Sequence, residues 1–393
     1  MREVLIDITR LVHRFVNKRL ATGVDRVSLA YIQHYGGNAR AVYRHKDGKF
    51  VFRRAESRVL FDWVLGLGQN GSPKATIYKG LLTGCLVQNV AGKFLFTTAH
   101  TGLESDHYVQ MLAEQKVRPI FMVHDLIPLT HPQFCRVGED AKHLQRLHNC
   151  VRSAAGVVCN SQATLEGLTR LCLQQQWQIP LTKVALLATE LPLMGSGCPV
   201  VSQPYFVFVS TIEPRKNHLM LLYLWEKLVL RLGSQTPKLV FIGQRGWHYD
   251  EVINLLENSQ LLKGVVLEVS TCSDAEMVNY LQHSRAMLFP SFTEGFGMPV
   301  AEALTLGVPV IASNLAVFKE FAGDVPDYID VQDEAAWSAM ICDYAQPEST
   351  ARQRQLMRLK GFNPPTWTQH FIEVDHLLDE LDERQDLASR SPA

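Results

Sequence analysis

Charge of neither sign prevails in this chain: 39 Lys and Arg stand against 39 Asp and Glu. The balance leaves no global field to draw it to nucleic acid, and no nucleic-acid partner is expected. Long apolar runs are missing too. No stretch of 18 or more apolar residues occurs, so the sequence offers no membrane-spanning helix. The eight cysteines, at 85, 135, 150, 159, 172, 198, 272 and 342, form no C-x-x-C pair. Neither a zinc site nor a redox motif is visible, and reduced thiols in a cytoplasmic protein are expected. There is no low-complexity segment and no short-period repeat. Met1-Arg2-Glu3 leads straight into the apolar residues 4–8, a beginning expected of a protein without a secretory signal.

What is present is an ordinary globular composition, 47% apolar and 20% charged, over 393 residues. That length suits about two to three domains. Short apolar runs at 4–8, 41–43, 94–97, 119–123 and 156–159 read as strands. Helical patterns at 23–35, 106–114, 138–153 and 162–172 lie among them. The alternation is that of an α/β fold with a doubly wound parallel sheet. Around 192–204 the pattern breaks into turn-forming residues that suit a linker between domains. A second alternating series follows, with strands at 205–210, 238–242 and 265–269 and helices at 218–232, 249–259 and 274–283. Residues 335–345 and 367–381 also read as helices, and the polar tail 382–393 is expected to fray. Two such domains in tandem would face each other across a cleft at the carboxyl ends of their strands, where doubly wound folds bind ligands.

The most informative run is 289–312, FPSFTEGFGMPVAEALTLGVPVIA. Glu294 follows a short apolar segment, and Glu302 falls within an expected helix. Pro299 suits the first helical position, and Gly307 can close the helix before the next strand. Gly295 and Gly297 leave backbone N–H groups free at a helix start, which favours a phosphate. One loop then offers amides to phosphate and carboxylates to hydroxyls, the two groups that a sugar nucleotide carries. A plain helix start with dipole-compensating Glu is the alternative reading of the spacing.

Other constellations sit at expected strand ends. Arg215 and Lys216 follow the strand at 205–210; Arg215 can fork onto phosphate oxygens and Lys216 adds a point charge. Gly243, in Gly243-Gln244-Arg245-Gly246-Trp247, permits close backbone approach to a ligand. In the first half Gly23 opens a helix and could admit a phosphate or an acceptor, or form an ordinary entry turn. His124 and Asp125 end the strand at 119–123, where they could orient a hydroxyl or move a proton, or merely cap the strand. Residues 10–20 mix four cations with apolar side chains. They suit either contact with an anionic membrane surface or a solvated loop.

Taken together, TEGFGMPVAEALTLGVPVIAS, STIEPRKN, FIGQRGW and VHDLIPLTHP resemble the retaining GT-B glycosyltransferases of family 4, in particular bacterial mannosyl- and rhamnosyl-type enzymes. The resemblance covers most of the chain and is densest from about 205 to 325. It implies an acceptor-side Rossmann-like domain at 1–198 and a nucleotide-sugar domain at 199–365. Residues 366–393 would be a helix crossing back to the first domain, plus a tail. It implies that Glu302 binds ribose hydroxyls, and that Glu294 with the amides of Gly295, Phe296, Gly297 and Met298 holds the donor sugar and diphosphate. Arg215 and Lys216 would neutralise the departing diphosphate. Gly23 would lie near the phosphate or acceptor, and His124 and Asp125 would face the transferred sugar. Two departures stand out. Residues 188–192 lack the family's usual Asn-Gly, and 270–273 lack a common Gly near the base pocket.

The implied activity is transfer of a hexose or deoxyhexose, with retention, from a nucleoside diphosphate sugar to a glycan or lipid-linked acceptor. GDP-mannose is favoured over dTDP-rhamnose or a UDP-sugar, and the setting is bacterial surface polysaccharide biosynthesis: O-antigen, capsule or lipopolysaccharide. No cofactor is expected, and no metal is needed where Arg215, Lys216 and the helix start neutralise the diphosphate. The expected location is cytoplasmic, with peripheral contact at the inner membrane left open. A non-catalytic nucleotide-sugar-binding subunit and a sugar-nucleotide epimerase on the same architecture remain as alternatives.

Overall fold

The computed structural model describes residues 2–17, 21–45, 48–67, 75–78, 90–191 and 197–390. Lys18, Arg19 and Leu20 of the basic segment, Cys85, and residues 192–196 of the expected linker lie outside the described residues. The chain divides into two compact units. The first comprises Met1–Leu129, Gly138–Leu187 and Trp367–Ala393, and the second Thr130–Val137 and Ala188–Thr366. The division near Leu187 and Ala188 precedes the boundary read at 198–199, and the short stretch Thr130–Val137 belongs to the second unit.

Among the described residues the first unit is built on seven strands: β1 (Val4–Asp7), β2 (Ala39–His45), β3 (Gly48–Val51), β4 (Phe94–Thr97), β5 (Arg118–Val123), β6 (Gly156–Cys159) and β7 (Leu181–Val184). Their order is β3-β2-β1-β4-β5-β6-β7. All neighbours pair in parallel except β2 with β3, an antiparallel edge that the expected all-parallel sheet lacked. β4 and β6 are buried along their whole length, as suits strands covered on both faces.

Among its described residues the second unit holds six parallel strands: β8 (Tyr205–Val209), β9 (Lys238–Ile242), β10 (Val266–Val269), β11 (Ala286–Phe289), β12 (Val310–Ser313) and β13 (Asp327–Ile329). They lie in the order β10-β9-β8-β11-β12-β13. That is the doubly wound order, with the winding reversing between β8 and β11. The core beneath is aromatic. Trp225, wholly buried in the helix His218–Leu232, donates from Nε1 to the Pro237 carbonyl at 2.8 Å. Phe208 meets Phe289 and Phe241 edge-on.

Two expectations from the sequence are corrected. Residues 10–17 are not the solvated loop that is one of the two readings of 10–20: the helix Thr9–Val16 runs through them, with Leu11 and Val12 buried. Its Arg10 and Arg14 both pair at 2.8 Å with the fully buried carboxylate of Asp25. The tail, expected to fray from 382, stays helical to Arg390 within Trp367–Arg390. Asp382 anchors it, taking hydrogen bonds from Arg2 Nε (2.7 Å) and from Arg118. Leu377 and Leu381 fill the space over Gly156, where an added Cβ would lie 3.2 and 3.1 Å from them. Among the described residues no helix is long and apolar enough to cross a membrane.

His370 gives this helix a pH dependence. Its Nδ1–H donates to the Leu186 carbonyl at 3.0 Å, and its Nε2 accepts from the Tyr31 hydroxyl at 3.1 Å. Burial, against the pull of the carbonyls, pushes its pKa down to about 4. The stability this neutral ring contributes is complete above its unfolded pKa of 6.5 and is lost as pH falls through about 4. At 1.36 kcal/mol per unit that loss is about 3 kcal/mol. Urea unfolding of wild type and His370→Gln at pH 7.5 and 4.5 checks it: the variant loses less stability on acidification. Equal acid sensitivity in the two chains would sink the assignment.

Candidate active site

β8 ends at Val209, and the chain then runs through Ser210-Thr211-Ile212-Glu213 into a single 3-10 turn, Pro214–Lys216. Asn217, in the left-handed region at φ 63°, redirects it into the helix His218–Leu232; Asn is among the residues that tolerate this conformation. The neighbouring strand β11 ends at Phe289 and passes through Pro290-Ser291-Phe292-Thr293 to Glu294. The Phe292 amide donates to the Arg215 carbonyl at 2.9 Å and ties the two exits together. They meet at the point where the winding of the sheet reverses, the position where open α/β sheets take their ligands.

There the side chains form a charged quartet. Arg215 Nη1 donates to Glu294 Oε2 at 2.7 Å and to the Thr293 carbonyl at 3.2 Å. Lys216 Nζ donates to Glu294 Oε1 at 2.5 Å and sits 4.9 Å from the centre of the Phe289 ring. Arg215 Nε lies 2.6 Å from Glu213 Oε1. The sequence brought forward Arg215, Lys216 and Glu294 separately, and the structure joins them. It also adds Glu213, which was passed over beside the more conspicuous cations. Its position, one residue ahead of the proline that starts the turn, was the available signal.

Burial governs these charges, and the two carboxyls resolve it differently. Burial opposes ionisation of Glu294, but Arg215 and Lys216 outweigh it and hold the carboxyl down at about 2. For Glu213 burial prevails over Arg215 and Lys216, and its pKa is raised. Burial and Arg215 together pull Lys216 below its ordinary range despite Glu294 and Glu213. Behind Lys216, burial and the lysine charge push His218 to about 3, so its imidazole is neutral.

The loop after Glu294 is fixed by its own packing. Gly297, at φ 97°, caps the helix Met298–Thr305, and a Cβ there would come within 2.5 Å of the Phe318 ring. Pro299 is therefore the second helical residue rather than the first. Phe296 is buried and stacks on Phe321 at 4.8 Å, so its side chain belongs to the core and only its amide is left for a ligand. Glu302 is buried within that helix. Gly243 has a structural reason of its own: at φ 153°, a Cβ would meet the Ser210 carbonyl oxygen at 1.9 Å. It lets the exit of β9 press against the exit of β8 and so shapes the turn that carries Arg215.

In the first unit, His124 and Asp125 leave β5. His124 Nε2–H donates to the Thr98 carbonyl at 2.7 Å, and burial, against Thr98 and Asp125, lowers its pKa. Its own carbonyl accepts from Asn160 Nδ2 at 2.9 Å and from Thr164 Oγ1 at 3.4 Å. The Asp125 carbonyl accepts from His143 Nε2 at 3.1 Å, and Asp125 Oδ1 from the Ile127 amide at 3.0 Å. Asn160 and His143, unremarked in the sequence, thus fix the backbone of His124 and Asp125. Gly23 is exposed at the start of the helix Gly23–Tyr35, where the Thr22 amide and hydroxyl both donate to Asp25 Oδ2 (2.7 and 2.6 Å).

A family model described as glycosyl transferases group 1 matches residues 199–331, the stretch that holds the quartet. The chain is 33% identical over 262 residues to the O-antigen chain mannosyltransferase RfbU of Salmonella typhimurium, covering 66% of this chain and 67% of that one. The chain belongs to the group 1 glycosyltransferases. This glycosyltransferase is also 29% identical over 272 residues to O-antigen chain mannosyltransferase B of Escherichia coli, with 66% of its own length and 71% of the relative's covered. A serotype-specific mannosyltransferase of Escherichia coli, WbdA, is 28% identical over 378 residues. That match takes in 88% of the glycosyltransferase but only 44% of WbdA, so the chain spans less than half of that relative. Among solved structures, Anabaena HepE in complex with UDP superposes with a TM-score of 0.65 at 14% identity, covering 97% of this glycosyltransferase and 100% of HepE. The fold of the glycosyltransferase is accordingly GT-B.

Proposed function

We propose that this glycosyltransferase moves mannose from GDP-mannose to a glycan or lipid-linked acceptor, with retention at the anomeric carbon, in the building of bacterial surface polysaccharide. The observation that carries the reading is the contact of Arg215 and Lys216 with Glu294 at the reversal point of the second sheet. Two cations converge where a diphosphate fits, beside the helix start at Met298 that offers further N–H groups. Glu302 is assigned to the ribose hydroxyls and Glu294 to the sugar. Mannose is chosen because the curated relatives are named as mannosyltransferases.

The state of Glu294 supports retention without a covalent intermediate. A carboxylate held at about 2 and gripped by two cations is a poor nucleophile and a poor base. The bond from the anomeric carbon to the departing phosphate oxygen breaks while the bond to the acceptor oxygen forms on the same face. The acceptor's proton passes to the departing phosphate, and Arg215 and Lys216 stabilise the charge that develops there. With that charge supplied by side chains, the reading requires no metal and no cofactor beyond the donor. His124, neutral and fixed through Thr98, and Asp125 are assigned to the transferred sugar, and Gly23 to the acceptor side. The reaction is placed in the cytoplasm or at the inner face of the inner membrane, where nucleotide sugars are available.

A thermal-shift comparison of GDP, UDP, dTDP and ADP tests the donor. A ligand at a hundred times its Kd stabilises the native state by about 2.7 kcal/mol. GDP is expected to raise Tm most, and Arg215→Ala to abolish the rise. A larger rise with another nucleotide would replace guanosine. A rise untouched by Arg215→Ala would move the site elsewhere.

A further inference from the structure

The quartet is neutral as it stands: Arg215 and Lys216 carry two positive charges, Glu213 and Glu294 two negative ones. A sugar nucleotide brings a diphosphate with two more negative charges beside carboxylates and an ammonium that are largely out of water. Glu213 is 5% exposed and Lys216 6%. Charge buried in such a setting without compensation is costly, and ionisable groups there give up or take up protons instead.

The geometry shows which group responds. Arg215 is shared, with Nε turned to Glu213 and Nη1 to Glu294. Forking onto phosphate oxygens draws its N–H groups away from the carboxylates. Glu294 keeps Lys216 when that happens. Glu213 does not keep a cation, since among the described residues its one ion pair is with Arg215. The groups around it offer no second ion pair. Lys216 attracts Glu213 at longer range, but its ammonium is bonded to Glu294, and Glu294 itself repels. On the β9 side Gly246 has no side chain to offer, a Cβ there lying 3.7 Å from Glu213 Cβ, and Arg245 of that turn is held by Glu257 and Glu268. Burial already favours the protonated acid at Glu213.

We propose that Glu213 is a positioning residue that holds Arg215 until the donor arrives, yields it to the diphosphate, and takes up one proton from bulk water as it does so. The carboxylate oxygen gains the proton, and the occupied site carries one uncompensated negative charge rather than two. This rests on the reading of the site as a diphosphate site, and the test separates the two.

The test is isothermal titration of the intact protein with GDP-mannose at pH 6.5, in PIPES and in imidazole, whose ionisation heats differ. GDP-mannose has no titrating group near that pH, so a buffer-dependent heat reports protons exchanged by the protein. Wild type is expected to take up close to one proton per site, and its apparent Kd to rise by up to tenfold per unit between pH 6 and 8. In Glu213→Gln the amide stands in for the protonated acid. Uptake is expected to vanish, the Kd to become independent of pH, and affinity at pH 6 to be kept. Binding by wild type with no buffer-dependent heat overturns the proposal whatever the variant does, and so does uptake that persists in Glu213→Gln. Absence of any binding of GDP-mannose and UDP-glucose to wild type overturns the donor reading, and this proposal with it.

Discussion

Lys216→Ala lowers kcat about 100- to 1,000-fold, a loss of about 2.7–4 kcal/mol of transition-state stabilisation by analogy with removal of one oxyanion donor. The size follows from where the ammonium is held. It is 6% exposed, at hydrogen-bond distance from Glu294 and over the Phe289 face, in a setting where water screens little. Burial and Arg215 also pull its pKa below the ordinary lysine range, and a nearby diphosphate works against that pull. The effect belongs mainly to kcat, because the charge on the leaving diphosphate grows as the glycosidic bond breaks. Arg215→Lys is expected to fall between wild type and Arg215→Ala, since it keeps a charge but loses the fork. Steady-state rates with saturating donor check this. A change in KM with kcat preserved in Lys216→Ala would show that the lysine only binds the donor.

Glu294→Ala is expected to cost stability as well as turnover, about 3–5 kcal/mol at neutral pH, because it strands the buried Lys216 and leaves Arg215 with Glu213 alone. Glu294 has a folded pKa of about 2 against an ordinary 4.5. Its contribution is therefore complete above pH 4.5 and lost as pH falls through about 2, a span worth about 3 kcal/mol. The difference between wild type and Glu294→Ala should be large at pH 7 and shrink steadily below pH 4.5. Denaturant midpoints at pH 7, 4.5 and 3 measure it. A difference constant across that range would mean that the pairing with Arg215 and Lys216 does not stabilise the fold. Glu294→Gln, which fills the space and keeps a hydrogen-bond acceptor, should lose turnover with a smaller loss of stability.

Much of this site was legible because chemistry and turn signals coincide. The strands at 94–97, 156–159 and 238–242 and the helices at 23–35, 106–114 and 218–232 stand where their apolar patterns put them. Glycine and proline punctuation placed Glu294 in a loop and Glu302 in a helix. What was not legible depends on packing at long range. Nothing local says that Arg10 and Arg14 turn inward to Asp25, because an amphipathic basic segment reads alike whether it faces water, lipid or a buried carboxylate. The tail beyond 381 is polar, and its order comes from Arg2 and Arg118, hundreds of residues away. Nothing local says that the Ser210 carbonyl occupies the space at the Cβ position of Gly243. Glu213 lay within a recognised motif, but its role shows only when its distance to Arg215 is known.

The most direct measurement is the fate of labelled sugar. Purified protein is incubated with GDP-[14C]mannose and a lipid-linked oligosaccharide bearing a terminal mannose, and the product is treated with α- and β-mannosidase. The account predicts label on the acceptor that α-mannosidase releases, because GDP-mannose is α-linked and retention preserves that configuration, and no label in Lys216→Ala over the same interval. Label released only by β-mannosidase would contradict retention. Conversion of GDP-mannose to another sugar nucleotide without acceptor, or tight donor binding with no transfer to any acceptor supplied, would contradict the transferase reading itself.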